Sequence, residues 1–583
     1  MGCMSRRTDK RRKLHDRLER ARIRLARPDA LLQLALLGIL TGLAAGLVIV
    51  AFRYLVEGLQ EAFLPGSNAE NYEGLGWQWR LLLPVLGGVL LAALFRWWGK
   101  GIQLLGVARV MERMAYHQGY LTLREFVLQF VGAAVAIASG HSVGREGPHV
   151  HLGAASGSLL GQWLTLPNNS IRTLAGCGIA AGISASFNTP LAGVVFALEV
   201  VMLEYSVASF VPVILSAAIA ALVSHAAFGG GSVFDVPAMS LAALSDVVLV
   251  VMLGLMAGAV AAGFNFLLQQ TAATGRRLAI WWRLMLAGVL GGVIGVMVPE
   301  VMGIGYDSLH LVLAGEVALA TLGLLVAAKL VATTIAVGLG VPGGMIGPSL
   351  FIGTCLGGIA GSLGEILGVS SGTGFFALLG MGAMMGASLQ APLAALTAMM
   401  ELTSSPGIIM PGMLVVVIAS LTASELFGKE SLFVTMLRAG GMDYEASPVL
   451  QALRRVGVAS VMSTRFARVD TPVSAERARA ALAKEPIWLL VGDGEAPAFL
   501  LRAVDLASHL DMEPESEEID LGEIPGRRYN VAAVNLQATL QEGLDVLRDR
   551  SAEALYVERM TAPGIHRVYG ILTREMVDSA YRY

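Results

Sequence analysis

The sequence predicts a mostly α-helical, polytopic membrane protein built on an internal duplication, followed by a small α/β domain. Three observations carry this. The 583 residues are 55% hydrophobic and only 15% charged, with a mean hydropathy of +0.65, whereas soluble domains carry roughly 25% charged residues. Apolar segments run almost without a break from about residue 30 to residue 438. Two patterns recur at an offset of about 200 positions: Gly144-Arg145-Glu146-Gly147-Pro148 with Gly344-Met345-Ile346-Gly347-Pro348, and Asn188-Thr189-Pro190 through Glu199 with Gln390-Ala391-Pro392 through Glu401. In a membrane protein, Gly/Pro-interrupted segments in matching places of two halves point to a binding site between them.

The elements follow in order. Residues 1–29 are crowded with Lys and Arg between Arg6 and Arg27, just before the first apolar run. That asymmetry places the N-terminus in the cytoplasm and makes the run a topological signal rather than a nucleic-acid site. Leu14, Leu18, Ala21 and Leu25 recur at helical spacing, as in a helix lying along a membrane surface. Residues 30–440 form the transmembrane domain, with repeats at about 30–225 and 240–440. Leu31–Val56 and Val247–Leu268 are long enough to cross a bilayer, which takes about 20 residues. Leu152–Trp163, Leu174–Ser186 and Phe375–Ser388 are shorter and read as pieces buried in protein. The polar stretch from Pro65 to Gly76 should face outward, and Arg276, Arg277 and Arg283 should face the cytoplasm. Residues 446–583 are charged and mixed. Two similar halves are expected there, each with a helix (Glu476–Lys484, Thr539–Arg548), an apolar strand (Trp488–Val491, Ala554–Val557), and a strand followed by a helix (Phe499–His509, Val568–Tyr581).

Cys3, Cys177 and Cys355 have no metal-ligand spacing and imply neither a disulfide framework nor a metal site. The motif Gly144–Pro148 is different. Glu146 and Arg145 are full charges in an apolar stretch, where ionisable groups are costly and therefore candidates for function. A Gly-x-x-Gly-Pro segment opening a helix lets backbone amides approach a ligand, with the positive end of the helix dipole behind them. Such a terminus attracts an anion. Two of them, one from each repeat, make an anion site without a fixed counter-charge, so that the anion can still leave. Glu146 can then occupy the anion's place when ionised and withdraw when protonated.

Gly144-Arg145-Glu146-Gly147-Pro148 resembles the signature of the CLC family of chloride channels and chloride/proton antiporters. Gly343-Gly344-Met345-Ile346-Gly347-Pro348 resembles its second anion loop, Asn188–Gly193 resembles a further family segment, and the tail after Met442 looks like a pair of CBS domains. The resemblance implies an inverted repeat and a homodimer with one anion pathway per subunit. It places the protein in the plasma membrane (bacterial inner type) with both termini cytoplasmic, and implies no enzymatic activity. Glu146 would be the gating glutamate. Amides of Gly144, Arg145, Glu146, Gly147, Met345 and Ile346 would line the anion sites, with chloride the expected occupant.

Three departures stand beside these matches. Gly106-Val107-Ala108-Arg109-Val110 puts Val107 where the family has a serine, and Phe433 replaces its central tyrosine, so both side-chain donors to the central anion are missing. Val200 falls at the internal proton-transfer glutamate, with Glu199 one position away and turned about 100° around a helix. On these grounds the preferred expectation is a passive anion channel gated by Glu146. The alternative is a chloride/proton antiporter with a non-standard internal proton path.

The other motifs carry less. Gly140-His141-Ser142-Val143-Gly144 fits a hydrolase nucleophile pattern but lacks the strand that pattern needs; Ser142 is expected to pack or cap. His149 and His151 lie on different helix faces and are expected to touch solvent or neighbouring loops rather than share a metal. Glu199 and Glu401 are expected to face the cytoplasmic mouth or cap adjacent helices. In the tail, Gly570-Ile571-Leu572-Thr573-Arg574-Glu575-Met576 and Phe499–Asp505 each depart from the nucleotide-binding pattern of CBS pairs, so adenine nucleotide is a weak expectation and a bracing role the stronger one.

Overall fold

The computed structural model describes residues 25, 30–65, 70–203, 207–229, 241, 243–369, 371–403, 405–442, 444, 448–492, 497–513, 517–562 and 565–580. The basic run Arg6–Arg27 and Cys3 lie outside these residues. The chain divides into two compact units, one of residues 34–164 and 171–445, the other built mainly from residues 446–583.

The first unit is all helical. Its elements are α1 (Leu31–Phe63), α2 (Trp77–Trp98), α3 (Gly106–Tyr116), α4 (Leu123–Ala138), α5 (Glu146–Trp163), α6 (Asn168–Phe187), α7 (Pro190–Phe196), α8 (Val207–Phe228), α9 (Val247–Gly275), α10 (Ile280–Met297), α11 (Tyr306–Leu313), α12 (Leu319–Gly338), α13 (Ile346–Ile366), α14 (Thr373–Leu389), α15 (Pro392–Thr403), α16 (Ile409–Leu421) and α17 (Leu432–Ala439). A wider turn at Ala197–Met202 continues α7. Among the described residues, eight helical segments are long and apolar enough to cross a membrane. They are not equivalent: 83% of the apolar window of α13 is buried, against 33–44% in the other seven. Thus α13 is enclosed by protein, whereas each of the other seven leaves more than half of that window outside the protein interior. The segment expected to begin at Leu152 instead starts at Glu146, because Glu146, Gly147 and Pro148 form the first turn of α5, with Arg145 at its N-cap.

The duplication is visible in the packing. Gly153 and Gly157 of α5 press on the backbone of Gly178 and Leu174 in α6, and Gly353 and Gly357 of α13 press on Gly380 and Phe376 in α14. A Cβ at any of these glycines would overlap a carbonyl, so small residues set the close approach of each helix pair. The helices also begin in register across the repeat: α3 at Gly106 and α11 at Tyr306, α5 at Glu146 and α13 at Ile346.

The second unit is α/β. Its strands are β1 (Phe466–Asp470), β2 (Val473–Ser474), β3 (Trp488–Gly492), β4 (Pro497–Arg502), β5 (Glu518–Ile519), β6 (Tyr529–Asn535), β7 (Ala554–Ala562) and β8 (Ile565–Thr573). Six of them form one sheet in the order β1-β3-β4-β6-β7-β8. β1 pairs parallel to β3 as β6 does to β7, and β3–β4 is antiparallel as β7–β8 is. Each half has its own core, around Leu489, Val491 and Leu506 in one and Leu555, Val557 and Val577 in the other. Trp488, Leu490 and Leu500 meet Ala554 and Ile571 between them. Hydrophobic burial at this seam joins the halves.

Candidate functional site

The two Gly-x-x-Gly-Pro loops meet. Gly144 N donates to Gly344 O at 2.8 Å and Gly344 N to Gly144 O at 2.7 Å, an antiparallel bridge one residue wide. Glycine is required here. A Cβ on Gly344 would stand 2.5 Å from Gly147 N, and one on Gly147 would stand 2.6 Å from Gly344 Cα. The bridge brings the N-termini of α5 and α13, and the positive ends of their dipoles, to one buried place.

Glu146 occupies that place. Its side chain is fully buried. Oε2 accepts from Gly347 N, in the first turn of α13, at 3.1 Å. Oε1 accepts from the Tyr306 hydroxyl at 2.6 Å. A carboxylate from one repeat is therefore seated on the helix terminus of the other. Met345 caps that terminus and Ile346 begins it, both buried. Arg145 turns away from the bridge: its guanidinium lies 3.8 Å from Glu57 and 5.2 Å from the Tyr306 ring.

The remaining expected residues fall as follows. Val107 is buried in the first turn of α3, and a Cβ on its neighbour Gly106 would sit 3.5 Å from Gly343 O, so this helix start lies against the second loop. Phe433 is buried in the first turn of α17, edge-on to Phe196 at 6.4 Å. Val200 is buried on the turn after α7. Glu199 accepts from Leu393 N at 3.1 Å and Ala394 N at 2.6 Å. Its counterpart Glu401 accepts from Leu191 N at 3.0 Å and Ala192 N at 2.7 Å. Each repeat thus caps the helix start of the other, and Glu199 is committed to backbone amides.

The histidine expectation needs correction. His149 and His151 are fully buried and neither faces solvent. His149 stands edge-on to Phe52 at 5.3 Å, while His151 Nδ1 is 3.2 Å from Gly106 O, because the helix turns these side chains toward different neighbours. Ser142, in the loop between α4 and α5, shares a hydroxyl–hydroxyl hydrogen bond with Thr333 of α12 at 3.1 Å.

Sequence reasoning missed Tyr306. The signal was present: Tyr306 lies at the same 200-residue offset from Gly106 as Gly344 from Gly144. It also missed a cavity of about 870 Å³ whose lining includes Lys100, Arg109, Arg113, Arg124, Arg276 and Arg283. Glu112 and Glu125 line it too; Arg109 pairs with both, and Arg113 with Glu125. Cations outnumber carboxylates there, so the cavity draws anions.

Residues 87–424 match the model of the voltage-gated chloride channel family. The chain belongs to that family. It is 33% identical over 401 residues to a putative chloride channel protein (ClcB-like) of Ralstonia nicotianae, covering 67% of this chain and 93% of the relative. It is 30% identical over 424 residues to the H(+)/Cl(-) exchange transporter ClcA of Yersinia pestis, covering 70% and 87%. Among solved structures, a slow cyanobacterial Cl-/H+ antiporter aligns with a TM-score of 0.63 at 22% identity, over 70% of this chain and 98% of that one. A eukaryotic CLC transporter aligns at 0.60 and 20% identity, over 94% and 98%. The CLC fold and CLC-type anion transport across the membrane follow from family membership. The preference for a passive channel, drawn from Val107, Phe433 and Val200, is not supported: the ClcA relatives are named exchange transporters.

Proposed function

We propose that this CLC protein exchanges chloride for protons, with Glu146 as both gate and outer proton carrier. The observation that carries this reading is the Glu146 carboxylate seated on Gly347 N at the start of α13. A group held there by an amide and a helix dipole stands where a permeating anion would be held, so carboxylate and chloride compete for one place. Protonation removes the charge that holds the carboxylate and frees the place for chloride. Amides of Gly144, Arg145, Glu146, Gly147, Met345 and Ile346 then serve the anion. Val107 and Phe433 leave the inner part of the path to backbone donors alone. The basic cavity with Arg276 and Arg283 is the cytoplasmic approach.

The inner proton step does not use the usual acid, since Val200 is apolar and Glu199 is held by Leu393 and Ala394. Exchange therefore runs through a non-standard inner route. Val200 is the observation that favours the second reading, a passive channel. The names of the exchanger relatives support the first. The same reasoning extends to the assembly: a homodimer in the plasma membrane with cytoplasmic termini, its C-terminal unit a CBS pair that braces the dimer.

Reconstituted vesicles with an imposed chloride gradient test the proposal. Uphill proton movement that Glu146→Gln abolishes is the expected result. Chloride flux with no proton movement would establish the channel instead.

A further inference from the structure

We propose that Tyr306 is the outer latch of the gate, a positioning residue that holds the Glu146 carboxylate on the start of α13 and so sets the external pH at which the path opens. This rests on the reading of Glu146 as the gate and adds a second residue to it.

The geometry is a two-sided clamp. Gly347 N holds Oε2 and the Tyr306 hydroxyl holds Oε1, at 3.1 and 2.6 Å. The backbone amide belongs to the closed bridge of loops and cannot move without it. Tyr306 is different: it is partly exposed and opens a helix of only eight residues, α11. Its own backbone is anchored from outside the helix, by Tyr306 N donating to Glu70 at 2.8 Å. The hydroxyl is therefore the movable half of the clamp. Its place in the duplication is informative. Gly106 opens α3 and Tyr306 opens α11 at the same offset, and Val107, beside Gly106, has no hydroxyl. The side-chain donor stands at the start of the second repeat's helix, directed at the gate.

A phenol donates a stronger hydrogen bond to a carboxylate than to a neutral carboxylic acid. The latch thus favours the seated, charged gate. The charged and titratable groups around it come from each packed element. Arg53 and Glu57 lie on α1, Glu70 on the loop before α2, Arg145 and His149 at α5, Asp307 on α11, and Lys329 on α12. Arg145 acts electrostatically on both Glu146 and Tyr306. Lys329 donates to the carbonyls of Val301, Gly303 and Ile304 at 2.9–3.1 Å and is fixed in place by them. None of these reaches Glu146 by a hydrogen bond among the described residues, so the hydroxyl is the contact to remove.

The experiment is a titration of chloride flux against external pH in proteoliposomes, for the wild type, Tyr306→Phe, Glu146→Gln and the double variant. Tyr306→Phe removes one oxygen and keeps the ring. Loss of a bond to a charged group is worth about tenfold in an equilibrium, so the half-activation point moves up by about one pH unit. In the Glu146→Gln background, the same change shifts nothing further. Calorimetric titration of Tyr306→Phe with chloride gives a second reading: chloride competes with a looser carboxylate and binds about tenfold tighter. An unchanged pH midpoint with unchanged chloride affinity overturns the latch. So does an equal effect of Tyr306→Phe with and without Glu146. A wild-type pH profile in Glu146→Gln alone overturns the gate reading itself.

Discussion

The two loop–helix units at Gly144–Pro148 and Gly344–Pro348 share a backbone and differ in two side chains, Arg145 against Met345 and Glu146 against Ile346. Both start a buried helix with a Gly-x-x-Gly-Pro turn, and each hydrogen-bonds the other through its first glycine. The first carries Glu146 where the second carries Ile346. The glycine pattern builds the place; the carboxylate occupies it. A second repeated pair reverses the lesson. Glu199 and Glu401 are both acids, yet both cap helix starts in the opposite half. Acids in one apolar domain thus take different places according to the partners that packing gives them.

The largest expected effect breaks the shared backbone. In Gly344→Ala the new Cβ would stand 2.5 Å from Gly147 N, where no flexible group can yield. Overpacking in a tight interior costs about 1–3 kcal/mol or more, and here it also severs both bridge hydrogen bonds. A sharp fall in the yield of folded protein, measured by size-exclusion chromatography in detergent, is expected. A monodisperse, fully active variant would show that the bridge is dispensable.

The next change leaves the backbone and removes the difference. Glu146→Gln should make anion flux largely insensitive to external pH, with thermal stability close to wild type. A large loss of stability would mean that Glu146 is held for structural reasons, as its counterparts are.

Glu199→Ala and Glu401→Ala test those counterparts. Each removes two charge-assisted bonds to backbone amides at a half-buried helix start. A cost of about 1.5–3 kcal/mol is expected from each, read as a lowered melting temperature with the pH profile of flux unchanged. Equal costs would support the symmetry of the clamps. A displaced pH profile in Glu199→Ala would give that residue a part in proton movement after all.

The smallest effect concerns the inner path. Phe433→Tyr would add a phenolic hydroxyl at the start of α17. One new charge-assisted bond of about 1.5 kcal/mol would tighten chloride binding roughly tenfold, measurable by calorimetry. No change would place the Phe433 ring off the anion path.

Much of this was legible in the chain itself, for a physical reason. Burying a charge or a run of glycines in an apolar region is unfavourable enough that either stands out locally, which is how Glu146 and the duplicated loops were found. The sheet unit was equally plain, because strand and helix periodicities are local. What escaped depends on pairing between distant segments. Tyr306 looks like an ordinary aromatic at a helix start until the fold brings its hydroxyl to Glu146. His149 and His151 looked accessible beside the charged motif, and packing buries both.

The sequence by itself determined the membrane class, the duplication, the two loops and the acid proposed as the gate, since composition, spacing and cost of burial are properties of residue type. Only the tertiary structure decided which amide receives Glu146, which hydroxyl opposes it, and that Glu199 and Glu401 are bound across the repeats. Those are matches between donors and acceptors up to about 200 positions apart, and hydrogen bonds act over about 3 Å, a distance that exists only once the chain is folded.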